Sequence, residues 1–194
     1  SCIAAKRFIV VDEVAGDFVE RYAAAAESLL TGNPADEGTT LGPMARHDLR
    51  DELHQQVLDS IGKGARVVTG CAPDAGPGAF YQASVLDHVQ PDMRAYHEEL
   101  FGPVAVIIRA RDATDALRIA NDSVYGLGGS VWCGDPVQGE SVARQLQCGC
   151  AFVNGMVKSD PRLPFGGIKH SGYGRELSCL GIREFVNAKT LWIR

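Results

Sequence analysis

The sequence predicts an α/β fold, a largely parallel twisted sheet flanked by helices. Two observations carry that reading. Short runs of β-branched and aliphatic residues alternate with longer stretches in which apolar residues recur every three or four positions, and turn-forming residues separate the two kinds of segment. Alternation of this kind builds a parallel sheet, because the chain must cross back, usually through a helix, before the next parallel strand can pair.

Residues 6–11 (KRFIVV) form the first strand. Val14, Phe18, Val19, Tyr22, Ala26 and Leu29 follow at helical spacing, and Gly32-Asn33-Pro34 is expected to end that helix. Leu49, Leu53, Val57 and Ile61 repeat every four residues and line one face of a second helix, stopped by Gly62 and Gly64 ahead of a strand at residues 65–69. Further strands are expected at 81–86, 104–109, 128–133 and 151–154, with helices at 113–121, 137–147 and 172–185. No internal repeat or low-complexity segment interrupts the pattern. In such a fold ligands gather at loops beyond the strand ends.

Composition narrows the function classes. With 194 residues and 45% hydrophobic content the chain can bury a core, and its length suits one domain. A net charge of −5, with Lys and Arg scattered, supplies no basic stripe for nucleic acid. The longest apolar runs, such as residues 104–108, fall far short of the roughly 20 residues a membrane-spanning helix needs. Neither nucleic acid nor membrane is therefore an expected partner. Six unevenly spaced cysteines in an aliphatic-rich chain suit a reducing compartment, the cytoplasm, better than a disulfide scaffold. Cys148 and Cys150 lack a second Cys or His cluster at ligand spacing, so no metal site is expected, and strand-like neighbours make them read as buried thiols. The opening SCIAAKR has neither an initiating Met nor a signal sequence, and the chain is expected to be cut from something longer.

Three loop segments carry candidate chemistry. Cys2 precedes Lys6 and Arg7, two cations that, with a first helical turn, could lower the pKa of a nucleophilic thiol. Read singly, it is more commonly a small buried hydrophobe, and no nearby histidine completes a protease signature. HEELFGPV, residues 97–104, sets two carboxylates and a flat ring at a turn, suited to ribose hydroxyls and an aromatic ligand ring, or else forms a solvated acidic turn with a core Phe. PFGGIKHSGYGRE, residues 164–176, packs four glycines and three cationic residues into thirteen positions between more apolar segments.

Taken in order, SCIA, EELFGPV, NDSVYGL (121–127) and PFGGIKHSGYGRE closely resemble motifs of the aldehyde dehydrogenase superfamily over the length of the chain. The resemblance implies the catalytic domain and C-terminal tail of an NAD- or NADP-dependent enzyme, with bacterial succinate-semialdehyde dehydrogenases the nearest subgroup. It makes Cys2 the nucleophile that attacks an aldehyde carbon to give a thiohemiacetal. Hydride then passes to the nicotinamide, and a glutamate base activates the water that hydrolyses the thioester. The Cys2 backbone N–H becomes half of an oxyanion hole. Glu99 matches the carboxylate that binds the nicotinamide ribose, and Phe101 the ring packed near the nicotinamide. The glycine-rich run lies under the active site in the family, and Glu176 at its end is either part of a proton path or a structural support. Ser159 matches a position that helps bind the substrate carboxylate in succinate-semialdehyde dehydrogenases, and reads otherwise as an ordinary loop hydroxyl.

What the resemblance leaves out is equally specific. The family's cofactor-binding Rossmann domain, its glutamate base and its oxyanion-hole asparagine precede the nucleophile. Residues 1–186 are thus expected to be a catalytic domain beginning at its nucleophile, and 187–194 a C-terminal oligomerisation strand of a homodimer or tetramer. The chain alone is expected to be inactive. Two other classes remain open, a catalytically silent structural or binding member of the fold and a cysteine hydrolase.

Overall fold

A computed structural model describes residues 1–194. Its contacts divide the chain into two compact units, one made of Ser1 and residues 5–119, the other of residues 2–4 and 120–194. Length alone suggests a single domain, but each unit organises its own sheet.

The first unit holds a four-stranded sheet in the order β1-β4-β3-β2, with β1 (Arg7–Val11), β2 (Arg66–Thr69), β3 (Ser84–Asp87) and β4 (Val104–Ala110). β4 pairs in parallel with both β1 and β3, while β2 joins β3 antiparallel. Strand alternation assigns each side chain of β4 to a face. Val104, Val106, Ile108 and Ala110 join one buried cluster with Leu53 and Val57 of α2 (His47–Gly62). Ala105 and Ile107 join another with Ala15, Val19 and Ala26 of α1 (Asp12–Glu27). Burial on both faces explains why VAVII reads as a continuous apolar run. α2 stops where Gly64 turns to φ +107, with Ala65 N–H donating to the Ser60 carbonyl and Gly64 N–H to that of Ile61, a Schellman ending. Two short helices complete the run, α3 (Arg94–His97), which the periodicity misses, and α4 (Ala113–Asn121).

The second unit contains a parallel pair, β5 (Gly128–Val131) and β6 (Cys150–Val153), joined through α5 (Pro136–Ala143). Asp135 caps α5 by accepting from Val137 N–H at 2.9 Å, with Pro136 at the first helical position. Cys148 and Cys150 are half-buried, less enclosed than the alternation predicts, because Cys148 precedes the strand in a turn.

Several expected boundaries are corrected. No helix surrounds Cys2: the residue lies in a turn, and the chain goes directly into β1. α1 ends at Glu27, before Gly32-Asn33-Pro34, because the Leu30 N–H and carbonyl bond instead to Thr40 and Leu41. The strand expected at 81–86 narrows to Ser84–Asp87, with Tyr81 held in an isolated bridge to Pro73. The helix at 137–147 closes at Ala143. The helix expected over 172–185 shrinks to α6 (Ser178–Arg183), since Gly172, Gly174, Leu177 and Ser178 all have positive φ and Glu176 pairs its backbone with Phe165. Residues 187–194 adopt no regular secondary structure. No helix is long and apolar enough to cross a membrane.

Candidate active site

The loop between α3 and β4 sorts its two carboxylates. Glu98 accepts two hydrogen bonds from Arg94, at 2.8 Å each, and a 2.9 Å bond from Gln56 of α2, while Arg94 also donates to Glu52. The Arg94 hydrogen bonds hold the Glu98 carboxyl below the ordinary range. Leu100 is buried and anchors the loop, which leaves its neighbours Glu99 and Phe101 facing outward. Gly102 lets the loop press on α2, because a Cβ there would lie 2.4 Å from Leu53 Cδ2. Glu98 is therefore tied into the fold, and Glu99 is the more exposed of the two residues. Phe101, at 53% exposure, is not the core residue that a purely architectural turn would carry.

Glu99 and Phe101 are brought together by a residue the sequence assigned elsewhere. Lys6 Nζ lies 3.4 Å from Glu99 Oε1 and 4.7 Å from the Phe101 ring centroid, and donates to the Ser1 carbonyl at 2.8 Å. Arg7 donates to the Ile119 carbonyl at 3.0 Å and stacks over Tyr96. The two cations read as neighbours of the thiol thus have defined partners within the first unit. No local pattern reveals these contacts, since Lys6 and Glu99 are far apart in sequence.

In the second unit the thiol of Cys2 is exposed and free of any disulfide. Ser159 is exposed in the loop after β6. Next to it, Asp160 accepts from the Arg162 side chain at 2.7 and 2.9 Å, which brings its carboxyl down to about 2. Glu176 exposes its side chain while its backbone exchanges 2.9 and 2.8 Å bonds with Phe165. No hydrogen bond or ion pair joins the side chains of Cys2, Ser159 and Glu176.

The glycine-rich run has a definite mechanical task. Ile168 N–H donates to the Gly126 carbonyl and His170 N–H to that of Val124, Ser171 Oγ accepts from Gly126 N–H, and Lys169 Nζ donates to the carbonyls of Asn121 and Ser123. The segments NDSVYGL and PFGGIKHSGYGRE are therefore bound to each other. Asn121 extends the tie by donating to the Gln145 carbonyl and accepting from Gln147 N–H. Two other thiols are shifted by their surroundings: burial pushes Cys71 up to about 11 and also raises Cys148.

The profile of the Aldehyde dehydrogenase family matches residues 1–191. The chain is 50% identical over 191 residues to the succinate semialdehyde dehydrogenase [NAD(P)+] of Escherichia coli, covering 98% of this chain and 41% of that protein. It is 49% identical over 189 residues to the succinate-semialdehyde dehydrogenase [NADP(+)] of Deinococcus radiodurans, covering 97% and 40%. Among solved structures it resembles succinic semialdehyde dehydrogenase from Streptococcus pyogenes in complex with NADP+, with a TM-score of 0.95 and 37% identity over 100% of this chain and 42% of that one. The chain spans about two fifths of the length of these relatives. A profile match over nearly every residue, together with half-identity to curated relatives, makes this chain a member of the aldehyde dehydrogenase family.

Proposed function

We propose that this chain is the catalytic part of an NAD(P)-dependent dehydrogenase that oxidises succinate semialdehyde to the acid, with Cys2 as the nucleophile. The observation that carries the reading is an exposed, unbridged thiol at Cys2 in a chain half-identical to a succinate semialdehyde dehydrogenase. In the proposed step the Cys2 sulfur forms a bond to the aldehyde carbon and the carbonyl π electrons move to oxygen. The Cys2 backbone N–H donates to that oxygen. A cytoplasmic setting suits such a thiol, which stays reduced there.

The residues present fit the nicotinamide end of a dinucleotide. Glu99 offers an outward-facing, acceptor-only carboxylate for ribose hydroxyls, and Phe101 offers an exposed ring face. When bound, the dinucleotide supplies the hydride acceptor. Ser159 is an exposed hydroxyl available to the substrate carboxylate, and Glu176 supports the glycine-rich loop through its backbone. Leu191, Trp192 and Ile193, each at least 77% exposed, supply an apolar segment for a homo-oligomeric contact. The relatives' greater length supports placing the Rossmann domain in the rest of the enzyme, so the 194 residues alone are expected to bind nucleotide poorly and to show no turnover.

The test is nicotinamide reduction by the gene product that carries these residues, with succinate semialdehyde as substrate and Cys2→Ala as the variant. Cys2→Ala is expected to abolish oxidation while nucleotide binding stays nearly unchanged, because the thiol acts on substrate carbon. Dehydrogenase activity retained above a trace would sink the assignment of Cys2.

A further inference from the structure

We propose that Lys6 is a positioning residue for the reaction, one ammonium that fixes both the peptide bearing the Cys2 N–H and the Glu99 carboxylate. The inference rests on the reading of Cys2, Glu99 and Phe101 given above. Three contacts converge on Nζ: the Ser1 carbonyl at 2.8 Å, Glu99 Oε1 at 3.4 Å and the Phe101 ring at 4.7 Å. The Lys6 side chain is 18% exposed, so these interactions are only partly screened by solvent.

The Ser1 contact matters because of what lies across that peptide. The Ser1 carbonyl and the Cys2 N–H belong to one planar, trans amide and point in opposite directions. Holding the oxygen therefore aims the N–H. A cation at the oxygen also polarises the amide and strengthens the N–H as a donor to a developing oxyanion. The same ammonium restrains Glu99, whose exposed side chain would otherwise sample several rotamers before meeting a ribose. Lysine suits this task because its three donors sit on one compact centre and can serve acceptors in different directions, whereas arginine presents a planar fork. Lys6 thus links two parts of the chemistry that the sequence keeps apart.

The two effects can be read separately in the gene product that carries this chain. Acylation of Cys2 by p-nitrophenyl acetate without nucleotide reports the N–H: the sulfur–acyl bond forms, the ester C–O bond breaks and p-nitrophenolate leaves. Single-turnover hydride transfer from deuterated and ordinary succinate semialdehyde reports Glu99. Lys6→Met is expected to slow both by about tenfold, less than outright loss of an oxyanion donor, and Lys6→Arg to recover part of each. Glu99→Gln is expected to slow hydride transfer alone. If Glu99→Gln slows hydride transfer but Lys6→Met leaves both steps at the wild-type rate, the Lys6 proposal is overturned and the reading of Glu99 stands. An unchanged hydride step in Glu99→Gln overturns the Glu99 reading and the Lys6 proposal with it. Should Lys6→Met fail to fold, Lys6→Gln takes its place, and rates that follow melting temperature rather than charge across the Met, Gln and Arg variants also overturn the proposal.

Discussion

Gly149→Ala tests whether the glycine-rich loop is held where the structure puts it. Gly149 stands between Cys148 and Cys150 at the start of β6, with its N–H donating to the Gly126 carbonyl at 3.0 Å. An ideal Cβ there would lie 1.7 Å from the Gly166 carbonyl oxygen, 2.7 Å from its carbon and 3.1 Å from Gly167 Cα. All three obstacles are backbone, so no side-chain rotation relieves them. Favourable contacts begin near about 3.5 Å, and the two segments must separate by about 1.5 Å or more. Overpacking costs about 1–3 kcal/mol, and a collision with backbone belongs at the upper end. At about 3 kcal/mol, with an m value of about 2 kcal/mol per molar, the urea midpoint should fall by about 1.5 M. Gly16→Ala is the control, because nothing lies within 4 Å of its added Cβ and alanine favours the interior of α1. Residues 164–176 should also lose amide-exchange protection, and in the gene product that carries them misplacement by about 1 Å is enough to cost about 100-fold in turnover if the loop supports the active site. A urea midpoint equal to that of the parent chain would refute the packing argument, and a displaced loop with unchanged turnover would refute its catalytic relevance.

Asp87 carries a pH prediction. It is 1% exposed, and burial alone would raise its pKa, but bonds from Arg109 at 2.7 and 3.2 Å and from His88 N–H at 2.7 Å outweigh burial and lower it. Its stabilisation is then complete above the unfolded carboxylate range near about pH 4 and lost as pH falls through the lower folded value. Asp87→Asn should cost about 2–3 kcal/mol at pH 7, because Arg109 keeps some access to water, and should flatten the acid limb of the stability curve; an unaltered acid limb would contradict it. For the thiols, a bulky maleimide at pH 7 should modify Cys2 and Cys179 in the folded chain and reach Cys71, buried and raised to about 11, only on unfolding. Equal labelling rates for Cys2 and Cys71, followed by peptide mapping, would count against the described burial.

Much of the fold is legible in the sequence because its signals are local. The four-residue repeat of Leu49, Leu53, Val57 and Ile61 marks α2, and the β4 apolar run marks a strand covered on both faces. Residues 172–185 fail as a helix because positive φ at Leu177 and Ser178, residue types with no such preference, is imposed by the Glu176–Phe165 pairing. The sequence by itself determined the alternation of strands and helices apart from α3, and its resemblance to the family motifs singled out Cys2, Glu99 and Phe101 as candidates, since both kinds of signal run along the chain. Only the tertiary structure decided that Glu98 is held by Arg94 while Glu99 faces outward, that Lys6 serves Glu99 and the Ser1 carbonyl, and that residues 164–176 are tied to 121–126. The local pairs Arg94–Glu98 and Lys6–Ser1 take part, but the choices are completed by contacts between residues distant in sequence, Gln56 with Glu98, Lys6 with Glu99 and Lys169 with Asn121 and Ser123, whose geometry exists only once the sheets and loops have packed.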